Sequence, residues 1–209
     1  MKHPAYYSRL GHTETTLGGN LPHWSQACAT FVTFRLADSL PQEKLAEFIG
    51  ERTSWLDSHP KPIDEAAEVE YRVRFQKRFH DWLDAGYGSC ILREASVRQV
   101  VEKSLMDFAD IRYSLYAFVV KPNHVHVLFM PEDGFDGRQI VRAWKSYTAK
   151  QINRLLNRTG IVWQKESYDH LVRDVRQFNA YRAYIRHNDV NLAYDAYAVA
   201  AEAAEEKSL

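Results

Sequence analysis

Two runs between Tyr113 and Pro131 constrain the fold more than any other part of the chain. Tyr113-Ser-Leu-Tyr-Ala-Phe-Val-Val120 is aromatic and β-branched with no helix breaker, and His124-Val-His-Val-Leu-Phe-Met-Pro131 follows it across a Lys-Pro-Asn corner. Strand-like runs joined this way predict a β-hairpin, hence an antiparallel sheet as the frame for everything else. Side chains alternate along a strand. His124, His126 and Leu128 therefore share one face, and Val125, Val127 and Phe129 take the other. At ~3.3 Å per residue the two imidazoles start about 6.7 Å apart along the strand, close enough to lean onto one metal ion. Half-buried histidines that bind nothing have the same spacing. A nucleophile and a third ligand elsewhere in the chain would decide between the two.

Ala29-Thr-Phe-Val-Thr-Phe-Arg-Leu36 predicts a further strand, with Phe31, Thr33 and Arg35 on one face and Val32, Phe34 and Leu36 on the other. Ser39 then reads as the cap of a helix packing through Leu45, Phe48 and Ile49. After a break at 58–63, a charged helix is expected from Asp64 to Ala85, packing through Val69, Val73, Phe79, Trp82 and Leu83 and stopped at Gly86. No catalytic grouping stands out between 37 and 90, which reads as an insertion after the first strand, structural in preference to DNA-facing. Another helix is expected over Ser96–Phe108. Asp136-Gly137 opens a long one to Asn157 with Ile140, Val141, Trp144, Tyr147, Ile152 and Leu155 on its packing stripe. Residues 162–172 form an extended connector, and a last helix spans Val175–Asn188 with Phe178, Tyr181 and Ile185 toward the core. The expected fold class is α+β: an antiparallel sheet with helices packed on one face. The expected domain plan is an irregular arm at 1–24, one catalytic domain at 25–194 with the insertion at about 37–90, and an Ala- and Glu-rich tail at 195–209.

Charge narrows the function classes through its distribution. The chain has 27 basic and 27 acidic residues, so a uniformly basic nucleic-acid binder is excluded. Yet Gly137–Lys165 has no Asp or Glu while carrying Arg138, Arg142, Lys145, Lys150, Arg154, Arg158 and Lys165. Such a local surface suits phosphate, although a solvated helix face has the same composition. Cys28 and Cys90 are isolated, and no apolar run reaches membrane-spanning length. A cytoplasmic protein without a membrane partner is expected.

Several motifs, in order, carry a resemblance: Leu21-Pro22-His23-Trp24 before the first strand, Pro122-Asn-His-Val-His-Val-Leu128, Trp144-Lys-Ser-Tyr147 in the basic helix, Trp163-Gln164, Tyr168-Asp-His170, Arg173-Asp174, and Tyr184-Ile-Arg-His-Asn188. Together they resemble the single-tyrosine transposases, and more narrowly the REP-associated tyrosine transposases, over roughly 21–192. The resemblance implies a ferredoxin-like or RRM-like antiparallel sheet with the histidines on a central strand. It implies Tyr184 as nucleophile, and His124, His126 and Asn188 as ligands of a divalent metal, Mg²⁺ or Mn²⁺. The departure lies after the tyrosine helix, where relatives commonly read Asn-Pro-Val-Lys-Ala-Gly-Leu and this chain reads Asn188-Asp-Val-Asn-Leu-Ala-Tyr194.

The function expected from the resemblance is a single-stranded DNA endonuclease and strand transferase (a transposase) that forms a 5′-phosphotyrosine link on hairpin-forming repetitive palindromic DNA. Phosphate contacts are expected from Arg138, Arg142, Lys145, Lys150, Arg154 and Arg173. Base stacking is expected from Trp144 and Tyr147, with Trp163 and Tyr168 as further platforms, against the plain alternative that the tryptophans are core. The alternative function is a domesticated hairpin-binding protein that does not cleave. A zinc hydrolase would need a further carboxylate motif that is missing. Monomer and homodimer both fit the family.

Overall fold

The computed structural model describes residues 2–8, 14–18, 21–25, 27–60, 64–188 and 193–195. Two short strands, β1 (Glu14–Gly18) and β2 (Leu21–Ser25), pair antiparallel. The arm expected to be irregular thus contains a hairpin, closed where Gly18 pairs with Leu21. Next come β3 (Thr30–Arg35) and α1 (Gln42–Ser58), then α2 (Glu65–Tyr71), a π-helical segment at Arg72–Lys77 and α3 (Arg78–Asp84). They are followed by α4 (Ala95–Met106), β4 (Tyr113–Val120), β5 (His124–Pro131), α5 (Gly137–Leu155), β6 (Tyr168–Leu171), α6 (Val175–Asn188) and β7 (Ala193–Asp195).

The main sheet is antiparallel with the order β6-β3-β5-β4-β7, so the histidine strand is central. Every residue of β4 and β5 is buried, because helices cover both faces and not the single face expected. One layer sets Val97, Val101 and Leu105 of α4 and Ile140, Val141, Trp144 and Ile152 of α5 against Val125, Val127 and Phe129. The other sets Phe178 and Ile185 of α6 against Phe31, Leu128 and Met130. The alternation of β5 therefore delivers the histidines to the α6 face.

The insertion has its own small core of Phe48, Trp55 and Phe75, flanked by Tyr71, Phe79 and Trp82. Expected packing residues Ile49, Val69 and Val73 are exposed instead; for the two valines the reason is that the helix there is not continuous α. A π turn carries an extra residue, and each residue turns the face by about 100°, so a 3.6-residue stripe projected through it fails. Ser39 does not cap α1: it is buried, donates to Leu36 O at 2.8 Å and accepts from Arg35 Nη1 at 3.0 Å. Asp136 does cap α5, accepting from the backbone N–H of Arg138 and Gln139. Of the α5 stripe, Tyr147 and Leu155 are exposed, and Phe108 lies exposed beyond the end of α4. The tail after Asp195 lies outside the described residues.

Candidate active site

The His124 and His126 rings converge more closely than strand spacing alone predicts, with Nε2 to Nε2 at 3.1 Å. Asn123, at the hairpin corner, sets one of them. Its Nδ2 donates to Tyr87 O at 3.1 Å, which leaves Oδ1 facing His124 Nδ1 at 2.7 Å. A carbonyl oxygen only accepts, so neutral His124 carries its proton on Nδ1 and turns an Nε2 lone pair toward His126. His126 Nδ1 meets Thr33 Oγ1 at 2.8 Å, a hydroxyl that either donates or accepts. Both rings are held neutral: burial pushes His124 down to about 3 and His126 well below the ordinary histidine range.

Tyr184 arrives from α6 in the same chain. Its hydroxyl lies 3.4 Å from His126 Nε2 and takes a hydrogen bond with the Asn188 side chain one helical turn on. Burial raises the phenol to about 12, with the Asn188 hydrogen bond pulling the other way. Lys121 Nζ ties the two parts together by donating to Asn188 O at 3.2 Å.

Two further side chains of metal-ligating type approach from the insertion, against the expectation that it was structural. His80 Nδ1 lies 3.3 Å from the Tyr184 hydroxyl, and Asp84 Oδ1 lies 3.9 Å from His124 Nε2 and 3.5 Å from Lys121 Nζ. Their four-residue spacing on one helix was the available sequence signal. Arg35, on the same sheet face as Thr33, is buried and pairs with no carboxylate among the described residues. It bonds Ser39 and lies over the Phe79 ring, and burial lowers it to about 10.

The donor set suits a divalent ion in a limited way. Two imidazole nitrogens in adjacent positions at ~2.1 Å from one ion lie about 3.0 Å apart, close to the spacing found. Among the described residues no three His, Cys, Asp or Glu side chains form a metal cluster.

The expected DNA-binding residues divide. Arg142, Lys150, Arg154 and Arg173 are not buried, Tyr147 is 46% exposed, and Arg138 is half-buried beside Asp136. Trp144 is a core residue, 4% exposed with its indole N–H donating to Tyr113 Oη at 3.0 Å, and has no ring face left for a base. Trp163 is likewise buried and donates to Thr148 Oγ1 at 2.9 Å. Because α5 packs on the Val125/Val127 face, its basic side chains lie across the sheet from the histidines. Lys145 reaches the outer edge, donating to Lys165 O at 2.7 Å and Ser167 Oγ at 3.2 Å just before edge strand β6. Burial lowers it to about 8.

Residues 89–188 match the family described as "Transposase IS200 like". Over that stretch, a little under half of its length, the chain is similar to the IS200-like transposases. The transposase match takes in His124, His126, Tyr184 and Asn188, and leaves out Thr33, Arg35, His80 and Asp84. A solved structure described as "Structure of the REP associates tyrosine transposase bound to a REP hairpin" aligns with 90% of this chain and 73% of that chain, at 16% identity and a TM-score of 0.42. No curated protein matches the sequence. No described helix is long and apolar enough to cross a membrane.

Proposed function

We propose that this chain is a metal-dependent single-stranded DNA endonuclease and strand transferase acting on hairpin-forming palindromic DNA, with Tyr184 as nucleophile. The observation that carries the reading is the approach of the Tyr184 hydroxyl to within 3.4 Å of His126 Nε2, beside the His124 nitrogen. Tyr184 Oη attacks the scissile phosphorus, the bond from phosphorus to the 3′ oxygen breaks, and the 5′ phosphate is left on the tyrosine. The phenol gives up its proton and the departing 3′ oxygen gains one. A phosphoester is exchanged for a phosphoester, so a second strand's 3′ hydroxyl can later displace the tyrosine without an outside energy source.

His124, His126 and Asn188 would hold the divalent ion, Mg²⁺ or Mn²⁺, which when bound polarises the phosphate and favours loss of the phenol proton. Asn123 and Thr33 keep the two rings turned toward each other. A phenol is protonated at neutral pH in any case, and burial around Tyr184 makes its proton harder to remove, so the proton has to leave as the oxygen attacks. Arg35 offers the phosphate a positive group on the reacting face, and Lys145, Arg142 and Lys150 continue positive charge around the β6 edge to α5. Tyr147 remains a stacking platform.

The test is incubation of the protein with a hairpin-bearing single strand and Mn²⁺. A protein–DNA adduct stable to denaturant is expected from the wild type and none from Tyr184→Phe. An adduct that survives Tyr184→Phe, or its absence from the wild type on every strand tried, overturns the reading. Tight sequence-dependent binding without an adduct in any divalent metal would identify a non-cleaving hairpin binder instead.

A further inference from the structure

The insertion lies almost wholly outside the transposase match, and it places one side chain directly on the proposed nucleophile. His80 is fixed from several sides. Its ring stands edge-on to Tyr184 at 5.8 Å between centroids and to Tyr168 at 6.1 Å, and lies tilted against His126 at 5.3 Å. The helix that carries it is pinned on both flanks: Phe79 lies under the Arg35 guanidinium, and Asp84 pairs with Lys121 at the hairpin corner. The π-helical segment at Arg72–Lys77 ends shortly before His80, and its extra residue turns the following face by about 100°. Isolated π turns of this kind recur at functional sites.

From this geometry we propose that His80 is a further catalytic residue, which holds the Tyr184 hydroxyl by a hydrogen bond so that an oxygen lone pair faces the scissile phosphate. Three groups compete for that hydroxyl: His80 Nδ1, His126 Nε2 and the Asn188 side chain. His126 and Asn188 are the two that the proposed metal would engage, and His80 is the one left to the tyrosine. The π-turned insertion is then a component of the site and not an ornament on the transposase sheet. The inference rests on Tyr184 being the nucleophile, so the experiment keeps the two apart.

The hydrogen bond is read first without DNA or metal. In protein labelled with ¹³C at the tyrosine ζ carbon, the resonance missing from Tyr184→Phe belongs to Tyr184. His80→Phe should shift it, and His80→Asn, whose amide replaces Nδ1, should return it toward its wild-type position. The single-turnover rate of adduct formation is read next. His80→Phe should slow it by roughly tenfold to a hundredfold, as expected for loss of one hydrogen bond to a reacting group, with hairpin affinity unchanged and partial recovery in His80→Asn. A Tyr184 resonance unmoved by His80→Phe overturns the proposal, as does a wild-type rate in His80→Phe while Tyr184→Phe is inactive; the function of Tyr184 then stands. A wild type that forms no adduct removes both.

Discussion

The histidine pair and Asn123 behave as one unit. In the unfolded chain each histidine takes a proton near pH 6.5, whereas folded His124 resists to about 3 and His126 is also held well below 6.5. Between those limits the unfolded state binds more protons, so stability is full above about pH 6.5 and is lost as pH falls below it. The loss is at most roughly 1.4 kcal/mol per pH unit for each histidine. Thermal unfolding in chelator from pH 7.5 to 4.5 should show this slope, and it should flatten in a His124→Gln/His126→Gln double variant. Asn123→Ala strips a partner from Tyr87 O and from His124 Nδ1–H in a fully buried place. It should cost about 1–3 kcal/mol of stability. It should also weaken Mn²⁺ binding by roughly tenfold to a hundredfold, because the ring's tautomer is no longer set. Calorimetry measures both effects.

Among the elements, the sheet and the insertion are separately packed. Phe75 is 1% exposed at the centre of the Phe48–Trp55–Phe75 cluster, so Phe75→Ala should cost about 3–5 kcal/mol locally. Hydrogen exchange should show weakened protection across α1–α3 with β4 and β5 unchanged; equal weakening in both would mean that the two fold as one unit. Elements with an unbroken period were legible in the sequence. The alternation within β3 grouped Phe31 with Thr33, that within β5 grouped His124 with His126, and the spacing in α6 put Phe178 and Ile185 inward and Tyr184 beside Asn188; that the two strand faces coincide follows from the register that pairs Thr33 with His126. The insertion was not legible, because a π turn breaks the 3.6-residue period on which Val69 and Val73 were assigned to packing. His80 and Asp84 therefore did not stand out as a pair facing the sheet. Trp144 shows the opposite failure: its period marked it as core, and family resemblance suggested a DNA-binding role that its buried indole cannot fill. The short strand β7 carries no alternation to read, and is held by Asp195 accepting from Arg182 at 2.8 Å.

For the molecule as a whole, basic helix and histidine face lie on opposite sides of one sheet, so DNA touching both has to pass an edge. The β6 edge carries Lys145 beside Ser167, with Arg35 beyond it on β3. Neutralising α5 cations at the surface, as in Arg142→Gln/Lys150→Gln, should lower the slope of log affinity against log salt by about 1 for each phosphate that the protein no longer neutralises. The rate of adduct formation at saturating DNA should hardly change. A large fall in that rate with an unaltered salt slope would place these residues in the reaction and not along the DNA path.

Tyr184, Asn188, His124 and His126 all meet within one polypeptide. That has a genetic consequence. Two defective alleles, one Tyr184→Phe and the other His124→Ala/His126→Ala, should fail to complement when expressed together, since neither polypeptide holds a whole site. A wild-type copy, in turn, should keep working beside either of them.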